Sequence, residues 1–383
     1  MATDESAPKM IRYGIIGSGM MGIEHIQNIN QVDGAVVTAA SDPHQPSLDA
    51  AVAEAAAGPS GSGEPIATFN DHKELLVSGL CDAVVLASPN FTHADILGDI
   101  FASGLHVLIE KPMCITVQEC ERAIEQAEAT KDVNPDRKIW VGLEYRYMPP
   151  VAALIDEVAN GAVGAPHMVA IREHRFPFLV KVGDWNRFSA NTGGTLVEKC
   201  CHFFDLMTTI IGEKPVRVYA SGAQDVNHLD ETYNGKTPDI LDNAYVIVDY
   251  PAGQRALLDL CMFADATENQ EEVSVVGPIG KVEAVLPVGK IKRGRRGEHW
   301  IGKVETELVV DESIAHEGLH HGSSFVEHVK FAAAIRGEQD VEVTLENGLW
   351  SVAVGAAAHK SIEEGRPVLL SELISSEMIG TKP

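Results

Sequence analysis

Short apolar runs recur along the first part of the chain, separated by stretches with helical spacing. Ile11–Ile16, Ala35–Ala40, Ala83–Ala87, His106–Ile109 and Ile139–Leu143 are rich in valine and isoleucine. That is the pattern of strands buried on both faces of a parallel sheet. Between them Gly22–Val32, Pro46–Ala57, His93–Ser103 and Thr116–Lys131 read as helices. Such alternation predicts a doubly wound α/β domain with right-handed crossovers. Gly58–Pro65 (GPSGSGEP) reads as a flexible loop inside it. After Glu144 the rhythm changes. A helix is predicted near Pro150–Asn160. Strands are predicted at His167–Arg175, Val216–Gln224, Ala244–Tyr250, Gln254–Met262, Glu272–Val276, Lys281–Leu286 and Lys303–Val310. Turn-forming stretches at Pro251–Gln254 and Gly277–Gly280 separate several of these, so the sheet is expected to be antiparallel. Helices over Ser323–Arg336 and Leu345–Glu364 close the chain.

Composition narrows the partners. The 383 residues carry 30 basic and 55 acidic side chains, a net charge of −25. An acidic surface repels phosphate backbones and anionic membranes, which argues against nucleic acid or a lipid surface as partner. No segment approaches the roughly 18 apolar residues that span a bilayer. Met1–Met10 is polar and acidic, unlike a secretory signal, so a cytoplasmic place is expected. Cys81, Cys114, Cys120, Cys200, Cys201 and Cys261 form no Cys-x-x-Cys pair and read as buried, reduced thiols. The one basic cluster, Lys290–Arg296 (KIKRGRR), reads as a solvated hairpin loop.

Gly17-Ser18-Gly19-Met20-Met21-Gly22 has the G-x-G-x-x-G form directly after the first strand and at the start of the first helix. Gly17 allows the tight turn, Gly19 the approach of a pyrophosphate, and Gly22 close helix–strand packing. Asp42, twenty positions after Gly22, ends the second strand, where an acid accepts hydrogen bonds from ribose hydroxyls and repels a 2′-phosphate. No lysine or arginine lies between Ala35 and Phe69, so NAD is expected in preference to NADP. The loops Ser88-Pro89-Asn90-Phe91-Thr92-His93 and Glu110-Lys111-Pro112 follow the third and fourth of these apolar strands, on the ligand side of an open α/β sheet. Ser88, Pro89, Asn90, His93, Glu110 and Lys111 therefore join Gly17–Gly22 and Asp42 as expected cofactor contacts. Farther on, Glu198 and His202 are four apart on a predicted helix, with Asp205 three beyond. That spacing puts an imidazole beside a carboxylate, a general-base arrangement.

With these motifs in order, the chain resembles the glucose–fructose oxidoreductase / inositol dehydrogenase / rhizopine catabolism (Gfo/Idh/MocA) family. Further carriers are Glu144-Tyr145-Arg146-Tyr147, Glu346-Asn347-Gly348-Leu349 and Glu364-Gly365-Arg366-Pro367. The resemblance implies an α/β fold of two domains. Residues 1–143 would form a Rossmann NAD-binding domain, and 144–383 an α+β domain with a large, open-faced, mainly antiparallel sheet. The resemblance places the active site between the two and implies that the C-terminal helix packs back on the first. The resemblance implies hydride transfer from a secondary hydroxyl of a sugar, sugar derivative or inositol to nicotinamide. It assigns Lys111 to the reacting oxygen and nicotinamide ribose, and His202 to acid/base work. Glu198 stands where relatives usually have Asp. Arg146, Arg175, Lys181, Trp185, Lys199, His320 and His321 are expected substrate contacts, with no metal. Redox-elimination on a glycoside and a non-catalytic NAD sensor remain alternatives. The uncovered sheet face implies a homodimer or homotetramer.

Overall fold

The computed structural model describes residues 9–58 and 65–379. The predicted loop Gly58–Pro65 and the segment Met1–Met10 lie largely outside the described residues. The chain divides into two compact units. The first comprises Met1–Cys114, Glu119–Gly142 and Ser313–Glu346, and the second Ile115–Gln118, Leu143–Glu312 and Asn347–Pro383. Residues 313–346, expected in the second domain, thus belong to the first unit.

The first unit holds β1 (Ile11–Ile16), β2 (Ala35–Ser41), β3 (Ala67–Phe69), β4 (Ala83–Leu86), β5 (His106–Glu110) and β6 (Ile139–Gly142). They form a six-stranded sheet in the order β3-β2-β1-β4-β5-β6, with every pairing parallel. This is the doubly wound order, with its reversal between β1 and β4. Ala83–Leu86 are all fully buried, so the unbroken apolar run follows from cover on both faces. The late helix Ser323–Arg336 belongs here for a physical reason. Its Phe331 ring meets Tyr13 and Trp140 at centroid distances of 6.3 and 6.2 Å. Its buried Glu327 accepts a hydrogen bond from Trp140 Nε1 (3.0 Å).

The second unit holds β7 (Met168–His174), β8 (Arg217–Ala223), β9 (Asn243–Asp249), β10 (Arg255–Cys261), β11 (Glu271–Val276), β12 (Gly280–Leu286), β13 (Lys290–Arg295), β14 (Val304–Leu308) and β15 (Val368–Leu369). They build a nine-stranded sheet in the order β14-β13-β12-β11-β7-β10-β9-β8-β15. Only the β7–β10 pairing is parallel; the rest are antiparallel. The sheet is therefore mainly antiparallel, as expected. One correction concerns the basic cluster. Lys290–Arg295 is a strand, not a solvated loop, because β12 and β14 pair with it on either side. Arg293 reaches Glu157 and Glu307, each at 2.7 Å, so its charge is neutralised in place. Alternation along β9 and β10 buries Val246, Val248 and Leu258 on one face and leaves Tyr245, Ile247 and Leu257 on the other.

Candidate active site

In the first unit the glycine loop has the predicted form. Gly17 has φ of +89°, and a methyl group there would collide with the backbone of Ser88. A methyl on Gly22 would strike the carbonyl of Gly17, whereas one on Gly19 would meet no atom within 4 Å. The open space at Gly19 is the room a diphosphate needs above the loop. It lies at the N-terminus of the helix Met20–Ile29, whose free N–H groups and dipole favour an anion. The Ser18 backbone N–H donates to Asp42 Oδ2 and that of His44 to Asp42 Oδ1, both at 2.8 Å. Asp42 is thereby fixed at the end of β2. Ser18 Oγ and Asn90 Nδ2 are enclosed with no hydrogen-bond partner among the described residues. These features fit a dinucleotide.

The other expected cofactor residues divide. Ser88 Oγ is tied to Thr92 Oγ1 (2.7 Å). The buried His93 ring spans two loops, with Nε2 3.0 Å from the Ser88 carbonyl and Nδ1 3.1 Å from that of Pro112. Burial pushes its pKa down. Its place is that of a brace between loops. Glu110 also turns inward. Its Oε2 accepts from the Lys111 backbone N–H (2.9 Å), and its Oε1 lies 2.9 Å from His25 Nε2. His25 Nδ1 in turn lies 2.8 Å from His328 Nε2. Glu110 fixes the direction of one of these contacts: its carboxylate accepts from His25 Nε2–H. Burial opposes ionisation of Glu110, but the hydrogen bond and charge of His25, with Lys111 and His320, hold it down at about 2. Burial keeps His328 neutral, far below the usual histidine range. Sequence reading missed His25 and His328. Lys111 is thus anchored through its backbone by a buried carboxylate. His320 and His321, expected as substrate contacts of the second domain, belong to the first unit.

In the second unit the predicted helix through Glu198 and His202 is broken. Thr195–Glu198 and Cys201–Ile211 are separate helices, joined through Lys199 and Cys200. His202 is 1% exposed. Its ring stacks on Tyr145 at 3.9 Å and 8°, and its Nδ1 lies 3.9 Å from Glu144 Oε2. Glu144 and Tyr145 come from the turn Glu144–Tyr147. Glu198 is buried at the end of the first of these helices, four residues before His202. Arg146 donates to Asp205 from Nε (2.6 Å) and again from its terminal nitrogen, a bidentate pair. Asp205 is nevertheless raised above the usual range, because burial outweighs Arg146. Arg175 lies against Glu173 (3.3 Å) and over the Phe176 ring (4.4 Å). Lys181 and Trp185 are half-buried beside and within the turn Val182–Arg187. Lys199, expected to contact substrate, is enclosed instead. Its Nζ donates to Tyr145 Oη (2.6 Å) and pairs with Glu173 Oε1 (2.9 Å).

Glu173 and Glu271 sit directly opposite each other on β7 and β11 and are 0% and 3% exposed. Burial, then the charge of Glu173, pushes the Glu271 carboxyl up to about 7. From its ordinary 4.5 to about 7 the folded chain keeps a proton that the unfolded chain has released. The stability this adds is complete below 4.5 and is lost as pH rises through 7. At one pKa unit per 1.4 kcal/mol the loss is about 3 kcal/mol. Thermal melting of the native chain should therefore fall between pH 5.5 and 8.5 by more than that of Glu271→Gln. Equal falls would remove Glu271 from the pH dependence.

Comparison with known proteins agrees with this geometry. Residues 11–134 match "Oxidoreductase family, NAD-binding Rossmann fold", and residues 155–370 match "Oxidoreductase family, C-terminal alpha/beta domain", the two parts of one family. The chain belongs to the Gfo/Idh/MocA family of oxidoreductases. Its first unit contains an NAD-binding Rossmann domain, and the chain is an NAD(P)-dependent oxidoreductase. It is 26% identical over 376 residues to a myo-inositol 2-dehydrogenase of Thermotoga maritima, covering 95% of this chain and 100% of that one. It is 24% identical over 374 residues to an inositol 2-dehydrogenase of Rhizobium meliloti, covering 94% and 99%. Among solved structures, a levoglucosan dehydrogenase in complex with NADH and levoglucosan shares the fold. That match has a TM-score of 0.81 and 16% identity, and covers 94% of this chain and 100% of the other. No helix among the described residues is long and apolar enough to cross a membrane.

Proposed function

We propose that the chain is an NAD-dependent dehydrogenase that oxidises a secondary hydroxyl of a cyclic polyol or sugar, with His202 as general base. The observation that carries this reading is the enclosed imidazole of His202, held flat on Tyr145 with Glu144 at its Nδ1 edge. Alcohol oxidation needs a positioned group that accepts the hydroxyl proton. A bound NAD, held by Gly17–Gly22 and Asp42, supplies a hydride acceptor. Lys111 stabilises alkoxide character on the reacting oxygen, and the His25–Glu110 pair fixes its backbone. Glu144 Oε2, 3.9 Å from Nδ1, places a carboxylate beside the imidazole as it takes the proton, and Glu198 is proposed to assist from the end of the preceding helix. Asp42, with no lysine or arginine near it in sequence, favours NAD over NADP. The names of the relatives point to inositols and sugar derivatives as the substrate class.

The test is NADH formation, and separately NADPH formation, from a panel of inositols, aldoses, anhydrosugars and glycosides. Turnover of a polyol or sugar with NAD preferred supports the reading. Elimination from a glycoside without NADH accumulation would replace it with redox-elimination, and saturable NADH binding without turnover would make the chain a sensor. The six cysteines are free thiols, five of them buried and Cys261 half-buried.

We further propose a homo-oligomer through the sheet. Tyr219, Ile247 and Leu257 lie side by side in register on its open face and are 44%, 43% and 37% exposed. Sedimentation should give a mass at least twice that of one 41.2 kDa chain. A single-chain mass would refute this.

A further inference from the structure

Behind the proposed general base, the second unit carries a buried ionic chain that the reaction itself does not require. Glu173 is the in-facing residue that follows Val169 and Ile171 on β7, and it is fully enclosed. Its Oε1 meets Lys199 Nζ at 2.9 Å. Lys199 donates to Tyr145 Oη at 2.6 Å. The Tyr145 ring stacks on His202 and meets Phe203 edge-on at 5.7 Å. The ammonium lies 4.9 Å from the centroid of the Tyr145 ring. Removing two charges from water costs several kcal/mol per ion. Lys199 and Glu173 therefore demand a return in geometry, and what they hold is the ring against which the imidazole lies. Glu271 faces Glu173 across the strand pair, and its Oε2 has no hydrogen-bond partner among the described residues. The enclosed Glu173 carboxylate is shared by two cations, Lys199 at 2.9 Å and Arg175 at 3.3 Å. The Glu271 carboxyl opposite it is driven by burial and by Glu173 toward its protonated form, so the two carboxyls are suited to hold one proton between them.

We propose that Glu173, Lys199 and Tyr145 are positioning residues for His202, and that Glu173 and Glu271 act as a one-proton pair supplying the single negative charge that holds Lys199 in place. The inference rests on the reading of His202 as general base. The charged and titratable groups around the pair are Arg175 just past the end of β7, Lys199 and Glu198 ahead of the His202 helix, and Glu144 and Tyr145 on the turn Glu144–Tyr147. Gln270 bonds Glu271 Oε1 (3.1 Å). Arg146 and Asp205 satisfy each other. The cluster's net charge near the imidazole is thus set by Lys199, Arg175 and the carboxyl pair together, and Arg175 is kept in every variant.

Opposite shifts follow. In Lys199→Met the cation is gone, and the acid limb of the kcat/KM profile should move to higher pH, by about 0.5 to 1 unit for a charge at this range. In Glu173→Gln/Glu271→Gln the ammonium is left uncompensated, and the limb should move to lower pH. Each single glutamine variant keeps one carboxylate, so its kcat should fall no more than about threefold, while the double variant falls at least about tenfold. Tyr145→Phe keeps the stack and loses the bond to Lys199, so kcat should drop with KM and NADH affinity unchanged. Lys199→Arg should leave the limb where the native chain has it.

The experiment is the pH profile of kcat and kcat/KM for these variants, on the substrate found by the panel, with melting temperature and NADH affinity measured alongside. Limbs that move in opposite directions, with a non-additive double variant, support the proposal. Folded variants that bind NADH and keep native profiles would overturn it, as would additive losses in the two glutamine variants. If Lys199→Met does not fold, Tyr145→Phe and Lys199→Arg decide: a native kcat in the first, or a displaced limb in the second, overturns the proposal. Full turnover in His202→Asn would instead defeat the general-base reading on which it rests.

Discussion

His202→Asn should lower kcat by about a thousandfold, within the range that a positioned acid/base group contributes. Asparagine keeps a polar side chain of similar reach but cannot take up a proton near neutral pH. The imidazole is 1% exposed and stacked at 3.9 Å, so water cannot easily take its place. The dissociation constant for NADH should stay within about twofold, because the residues that fit the dinucleotide all belong to the first unit and His202 to the second. The split is the informative feature. A structural histidine would lower stability and spare kcat in the folded fraction, whereas a general base lowers kcat in protein that still binds NADH fully. Steady-state kinetics with fluorescence titration of NADH reads both. Unchanged kcat would remove His202 from the chemistry and return the search for a base to Glu144 and Glu198.

Gly17→Ala should abolish NADH binding and lower the melting temperature. Two independent costs act at this position. The backbone has φ of +89°, which an alanine adopts only with strain. The new methyl also collides with the Ser88 backbone, which has no flexible end to move aside. Backbone strain alone costs on the order of 1 to 3 kcal/mol, and relief of the collision must part β1 from the loop after β4. Gly19→Ala is the control. Its methyl meets nothing within 4 Å, so it should leave melting unchanged and weaken NADH alone by intruding on the space above the loop. Similar losses of stability in both variants would contradict this account of the glycine loop.

The parallel strands and the glycine loop were legible because their signals are local. Ala83–Leu86 is buried on both faces and reads as one apolar run, and Gly17–Gly22 has its strand and helix on either side. β3 and the helix His72–Val77 escaped because three and six residues carry too little periodicity. Lys290–Arg295 misled because charge stood for exposure, whereas Arg293 is neutralised by Glu157, 136 positions earlier, and by Glu307. The place of Ser323–Arg336 depends on Trp140 and Tyr13, far back in the chain. For the proposed site, motif and spacing point to Lys111 and His202 but not to the groups that brace them. A signal for two of them existed. Glu173 continues the buried alternation Val169, Ile171, and Glu271 begins that of Val273, Val275. A charge at an in-facing strand position implies a buried partner. That the partner is Lys199, 26 positions on from Glu173, was beyond local reading.

In the proposed reaction a carbon-bound hydrogen of a secondary alcohol passes to NAD. The direct measurement uses the polyol or sugar identified by the panel, deuterated at the reacting carbon, with NAD and the native chain. Deuterium is expected at nicotinamide C4 in one NADH per product ketone, with a slower rate for the deuterated substrate in single turnover. Product formed with no deuterium in accumulated NADH, or NADH bound with no product at all, would contradict it.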